Sequence, residues 1–223
     1  EAARYLDLAP STLRQWVDGR SYATRSGPRS AAGLIVPAGP ERPLLLSFHN
    51  LVESHVLAGM RLKEGIAMHK VREALALVSK HLKVERPLLS DRFLSDGAEL
   101  FFKHIEEMPD GSEKREHLID VTGARGQVHI PEITEVYMRR IQRDVQGVPI
   151  RLFPVVLRDL ENEPIMVDPR CSFGRPVVAG TGVPTFALAE RYRASESIDE
   201  LAKDFRLDRE KVRVALRYER EAA

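Results

Sequence analysis

What most restricts the fold of this chain lies near its end, where two helix-start signals stand close together. Ser197-Ile198-Asp199-Glu200 is a capping box, in which the serine hydroxyl satisfies one orphan amide and the glutamate reaches back for another. Asp208 supplies a second cap, and apolar residues at helical spacing over 186–192 announce a third helix just upstream. Helices this short do not hold alone in water. They are expected to pack on one another through Leu188, Ile198, Leu201, Phe205, Leu207, Val212 and Leu216.

The segment leading into them is a short strand at 165–167, then a Pro- and Gly-rich run over 168–184. At the other end of the chain, residues 1–8 read as a short helix. Pro10 breaks it by disfavouring helical geometry at Ala9. Ser11 or Thr12 then caps a second helix, with Gln15 at the capping-box position if Thr12 is the cap. Leu13, Trp16 and Val17 face inward, and Gly19 ends the helix. Residues 20–43 are rich in Arg, Ser, Gly and Pro and read as a loop or a β-wing, with 34–36 as a short strand.

Ser47 caps a longer helix carrying Phe48, Leu51, Val52 and His55, punctuated by Gly65. A second strongly periodic helix spans 68–82. Further on, 88–94 and 99–102 read as a hairpin turning at Asp96-Gly97, because that dipeptide supplies the positive φ of a type I′ turn. A second hairpin is expected from 118–121 and 127–130. Pro131 opens a helix bearing Ile133, Val136, Tyr137 and Ile141, and 148–156 is extended. The expected organisation is 1–84, 85–157 and 158–223. The fold class is mainly α with small β-hairpins: a winged helix-turn-helix N-terminal domain and a small three-helix, helix-turn-helix-like C-terminal domain.

The net charge of 223 residues is +1, so any nucleic-acid contact must rest on a local patch. The second helix offers one. Ser11, Thr12, Arg14 and Gln15 lie on its outer edge, and Arg20, Arg25 and Arg29 follow where a wing would lie; only Asp18 dilutes them. Hydroxyls and backbone amides at a helix N-terminus suit phosphate oxygens, and Arg and Gln read guanine and adenine edges.

Residues 1–16, Glu-Ala-Ala-Arg-Tyr-Leu-Asp-Leu-Ala-Pro-Ser-Thr-Leu-Arg-Gln-Trp, resemble the helix-turn-helix of MerR-like and excisionase-like DNA-binding proteins. The C-terminal segment resembles the family DUF433, through Ile165-Met166-Val167-Asp168-Pro169, Phe173-Gly174-Arg175-Pro176-Val177-Val178-Ala179-Gly180-Thr181 and Val183-Pro184. The likeness continues through Ser197-Ile198-Asp199-Glu200-Leu201 and Val212-Arg213-Val214-Ala215-Leu216-Arg217-Tyr218. The family usually carries Arg after Gly-Thr, where this chain has Gly182; that departure bears on DNA binding by this domain.

Together the two ends are similar to VapB-type antitoxins that join a DNA-binding domain to a DUF433 tail. The resemblance implies an antitoxin that represses its own promoter by binding operator DNA as a homodimer and neutralises a PIN-type ribonuclease toxin. Such toxins hold magnesium in a carboxylate cluster, which an arginine can contest. Arg206, Arg209, Arg213, Arg217 and Arg220 are the candidates; Arg213, Arg217 and Arg220 share one helix face, where Glu210, Glu219 and Glu221 compete for them. The alternatives are a MerR-like, effector-responsive regulator without a toxin and an excisionase-like architectural protein.

No catalytic constellation is visible. The seven histidines are scattered, no His-Glu-x-x-His occurs, and neither a phosphate loop nor a dinucleotide fingerprint is present. A non-enzymatic chain without metal or cofactor is expected. The single cysteine, Cys171, cannot form an internal disulfide, and no apolar run is long enough to span a bilayer. A cytoplasmic location follows from that reading.

Overall fold

The computed structural model describes residues 1–24, 27–39, 44–60, 66–93, 97–107, 132–154 and 163–221. Its architecture is mainly helical, with small antiparallel two-stranded sheets. The chain divides into two compact units. The first comprises Glu1–Ser54, Arg140–Arg143 and Pro149–Ala223, and the second His55–Arg139 and Asp144–Val148.

The first unit opens with α1 (Ala2–Tyr5) and α2 (Pro10–Asp18). Neither Ser11 nor Thr12 caps α2, contrary to expectation. Ala9 is the N-cap in extended geometry, and Pro10 is the first helical residue. Proline removes one of the orphan amides of the first turn and its φ is already helical, and the Thr12 amide turns to the Ala9 carbonyl at 2.9 Å, so the helix starts without a side-chain cap and leaves other amides free. Leu13, Trp16 and Val17 are buried as expected. The wing is also present: β1 (Arg20–Thr24) pairs antiparallel with β2 (Gly27–Ala31). Residues 34–36 are not a strand. The amides of Leu34 and Ile35 both donate to the Trp16 carbonyl, at 2.7 and 3.0 Å, and so cap the end of α2.

Ser47 begins α3 (Phe48–Ala58) as expected. The Asn50 amide donates to Ser47 Oγ at 3.1 Å and the Ser47 amide to Asn50 Oδ1 at 3.0 Å, a capping box with asparagine in the acceptor role. Later in the unit, β3 (Ile141–Arg143) pairs with β4 (Pro149–Leu152), and β5 (Ile165–Met166) with β6 (Val177–Val178). Val167 exchanges backbone hydrogen bonds with Leu152. The end of the unit is α7 (Thr185–Arg193), α8 (Ile198–Phe205) and α9 (Arg209–Glu221).

Val178, Leu188, Leu201, Val212 and Ala215 form the core of these last helices, with Ile198, Phe205, Leu207 and Leu216 packed around them. Burying a leucine such as Leu188 contributes roughly 1.5–3 kcal/mol, which is how three helices too short to persist singly hold together. The capping box of Ser197 forms as the residues foretold, with Glu200 Oε2 accepting from the Ser197 amide at 2.8 Å.

In the second unit, α4 (Met68–Leu82) buries Val71, Ala74, Leu75, Val78 and Leu82. Among the described residues, 99–102, expected as the second strand of a hairpin turning at Asp96-Gly97, are helical instead. Residues 87–89 form a 3-10 turn, Gly97 leads directly into α5 (Ala98–Glu107), and Ala98, Phe101 and Ile105 are buried along it. Gly97 answers to packing: a Cβ there would crowd α4, standing 2.9 Å from Val78 Cγ1 and 3.1 Å from Leu82 Cδ1. Helix α6 (Glu132–Arg139) stops before Ile141, which lies in β3, so that residue is not on the helix face expected for it. His55 stacks on Tyr137 with ring centroids 4.6 Å apart. Gly65, Pro131, the turn residue Asp96 and the second expected hairpin lie outside the described residues.

Candidate functional site

Two surfaces of the first unit carry the residues singled out by sequence. The first is built by α2 and the wing. With Leu13, Trp16 and Val17 turned inward, helical geometry leaves Ser11, Arg14, Gln15 and Asp18 exposed and Thr12 half-buried. No acidic residue occupies the first turn of α2, so its N-terminus keeps its partial positive charge. Arg20 is exposed at the start of β1. Arg29 stands in β2 opposite Tyr22, with only its backbone described, and Arg25 lies outside the described residues.

Two glycines clamp the wing to the helix. A Cβ on Gly19, whose φ is +82°, would meet the Ala31 carbonyl oxygen at 2.1 Å, and one on Gly33 would meet the Val17 carbonyl oxygen at 1.7 Å. No side chain fits between the end of α2 and the returning strand. The angle between wing and helix is therefore set by backbone contact.

Arg14 and Asp18 also line a cleft of about 1220 Å³, shared with Tyr5, Phe48, Phe173 and Arg175. Phe173 is fully exposed, and Ser172, Phe173 and Gly174 all have positive φ. Asp168 anchors the loop that carries them. Its carboxylate accepts from Arg151 Nε at 2.7 Å, the Arg170 amide at 2.9 Å and Arg170 Nε at 3.2 Å. Burial alone would raise its pKa, but the hydrogen bonds from Arg170 and Arg151 win and hold it down at about 2. Arg175 lies over the Phe186 ring at 4.9 Å. The Gly-Thr turn is closed by Thr181, whose hydroxyl donates to the Val178 carbonyl at 2.8 Å and accepts from the Val183 amide at 3.1 Å. Gly182 beside it is exposed, with nothing within 4 Å of an added Cβ.

The second surface is on α7 and α9. Arg213, Arg217 and Arg220 line one groove of about 470 Å³, as their spacing foretold. Arg193 and Tyr192, at the end of α7, line it too; sequence reasoning missed them because nothing local says which helix α9 will lie against. Arg206 and Arg209 are not among the groove residues. Arg206 is the left-handed C-cap of α8, and Arg209 pairs with Asp199 at 2.5 Å. Arg213 makes a 3.4 Å pair with Glu210 on its own helix. Among the described residues no cluster of His, Cys, Asp or Glu could hold a metal ion, and no helix is long and apolar enough to cross a membrane.

Residues 165–218, which hold the Asp168 loop, the Thr181 turn and all three last helices, match the family model described as "Protein of unknown function (DUF433)". This segment is a DUF433 domain. The DUF433 match accounts for the end of the chain, and two further likenesses extend over nearly all of it. "Putative antitoxin VapB45" of Mycobacterium tuberculosis (strain ATCC 25618 / H37Rv) is 28% identical over 222 residues, covering 97% of this chain and 90% of the relative. The crystal structure of Rv2018 from Mycobacterium tuberculosis matches with a TM-score of 0.76 at 26% identity, covering 97% of this chain and 94% of that one. The likeness therefore includes α2 and the wing as well as the DUF433 domain.

Proposed function

We propose that this chain is the antitoxin of a type II toxin–antitoxin pair, acting in the cytoplasm. It binds operator DNA through α2 and the wing, and it neutralises a PIN-type ribonuclease toxin. The similarity along nearly the whole chain to a protein named as an antitoxin carries this reading. The exposed edge of α2 supplies a physical route to DNA. Arg14 and Gln15 read base edges in the major groove, the Ser11 and Thr12 hydroxyls and the free helix N-terminus take phosphates, and Arg20, Arg25 and Arg29 follow the backbone. A homodimer would place two such helices on paired half-sites. Toxin contact is assigned to the arginines near the chain's end, Arg206, Arg209, Arg213, Arg217 and Arg220.

The test is to co-express the chain with the protein encoded beside it, purify any complex and separate it by denaturation and refolding. The expected result is a partner that cleaves RNA alone and stops when the chain is restored. Promoter DNA should bind the complex or the chain at low salt and release steeply as salt rises. A neighbour that neither binds nor cleaves RNA overturns the antitoxin reading.

The cleft beside Arg14 favours one other reading, a regulator whose DNA contact answers a small effector. That reading expects a metabolite to raise the melting temperature and to change DNA affinity in the absence of any protein partner.

A further inference from the structure

The groove on α7 and α9 combines an apolar floor with a cationic rim. Its floor is apolar, made by Ala189, Ile198 and Leu216. Its rim is cationic: Arg193, Arg217 and Arg220 have no carboxylate partner among the described residues, and Arg213 has only the exposed 3.4 Å pair with Glu210. Two other arginines of the same domain are, by contrast, held by carboxylates. Arg191 is held by both Glu196 and Asp204, and Arg209 by Asp199. The carboxylate lining the groove, Glu219, does not neutralise the rim. It is 3% exposed and is engaged by Arg4 at 3.4 Å and by the Thr185 hydroxyl at 2.5 Å.

We infer that this groove receives an acidic, amphipathic segment of the partner protein, whose aliphatic side chains enter the floor while its carboxylates meet Arg193, Arg217 and Arg220. The inference rests on the antitoxin reading and names the surface and the partner chemistry that reading leaves open. At about 470 Å³ the groove accepts protruding side chains and not a whole helix, within the range of roughly 300–1,000 Å³ usual for pockets. Apolar centre and polar rim are the anatomy of a protein interface, and arginine and tyrosine, here with Tyr192 half-exposed at the edge, are the residues such interfaces concentrate. A nucleic-acid backbone would meet the arginines but gain nothing from Ile198 and Leu216. A carboxylate accepts two parallel hydrogen bonds from one guanidinium, which fixes the segment's register.

The experiment uses the full chain and the co-purified partner, with affinity measured by calorimetry. Arg217→Glu/Arg220→Glu is compared with Lys203→Glu/Lys211→Glu, which makes the same change in net charge at exposed positions outside the groove. Circular dichroism melting confirms that both variants fold. The expected result is a loss of about tenfold or more for the groove variant and little change for its control. Equal loss in both variants, or none in the groove variant, overturns the groove while leaving the antitoxin reading in place. Failure of the unaltered chain to bind any ribonuclease partner overturns both. A single-stranded RNA 12-mer that binds the unaltered chain, and is lost in the groove variant while partner binding persists, reassigns the groove to nucleic acid and overturns the inference.

Discussion

Arg4, in the first helix, meets Glu219, in the last, with Nη1 and Oε2 3.4 Å apart. Beside them the Tyr218 hydroxyl donates to the Tyr5 carbonyl at 3.4 Å, and burial pushes the Tyr218 phenol pKa well up. The two ends of the chain are thus joined through a buried carboxylate that also accepts from Thr185. Glu219→Ala should cost about 1 kcal/mol, because it removes the acceptor shared by Arg4 and Thr185, although the Thr185 hydroxyl still reaches the Pro176 carbonyl at 3.2 Å and Arg4 is 36% exposed. Glu219→Gln, which keeps an acceptor for Thr185, should cost less. Chemical denaturation of the three proteins checks the order; an unchanged midpoint in the alanine variant would show that the contact contributes nothing.

Arg14→Ala should weaken operator binding by about 1–3 kcal/mol while leaving partner affinity unaltered. Arg20→Ala should weaken binding to all sequences alike and flatten the salt dependence by about one unit of slope. Fluorescence anisotropy over a salt series separates the two. If Arg14→Ala lowers DNA and partner binding equally in a folded protein, the division of labour between α2 and α9 is wrong.

Gly33 and Gly182 should respond oppositely to alanine. At Gly33 the new Cβ would fall 1.7 Å from the Val17 carbonyl oxygen, so the wing must part from α2. At Gly182 nothing lies within 4 Å and φ is not positive, so alanine should be neutral or stabilise by about 0.4–1 kcal/mol through the unfolded state. Arginine should fit there as well, restoring the residue that DUF433 proteins usually carry. Thermal melting reports the first effect, and DNA binding by Gly182→Arg reports whether that arginine has any role in contacting nucleic acid.

Legibility in the sequence follows the range of the interactions involved. The Ser197 capping box, the inward face of α2 and the period of α4 were readable because each is decided within one or two helical turns. Asp96-Gly97 misled for the opposite reason: its local turn preference is real, but Gly97 answers to Val78 and Leu82 on another helix. Gly33 carried no signal beyond being a glycine, since only the folded chain brings it to Val17. At the candidate surfaces, the arginine stripe of α9 was legible from spacing alone. Its neighbour Arg193 was not, because the packing of α7 on α9 is a tertiary fact.

The Asp168 loop should make part of the stability depend on acid. In the folded chain the Asp168 carboxyl titrates at about 2, against an ordinary 3.8. A depressed pKa means the folded state holds the proton more weakly than the unfolded state. The stabilisation is therefore complete above the ordinary value and drains away as pH falls from about 4 through about 2. Arg170, one of its partners, is 67% exposed, so solvent screening limits the effect to about 1–2 kcal/mol. Asp168→Asn should be less stable at pH 7 and should lose less stability on acidification than the unaltered protein. Glu200, also lowered by the hydrogen bonds from the Ser197 backbone and side chain, titrates in both proteins and cancels in the comparison. Urea denaturation at pH 7, 4 and 2.5 measures the difference between the two. It should shrink toward the lowest pH; a difference that stays constant would mean that Asp168 acts through its shape and not its charge.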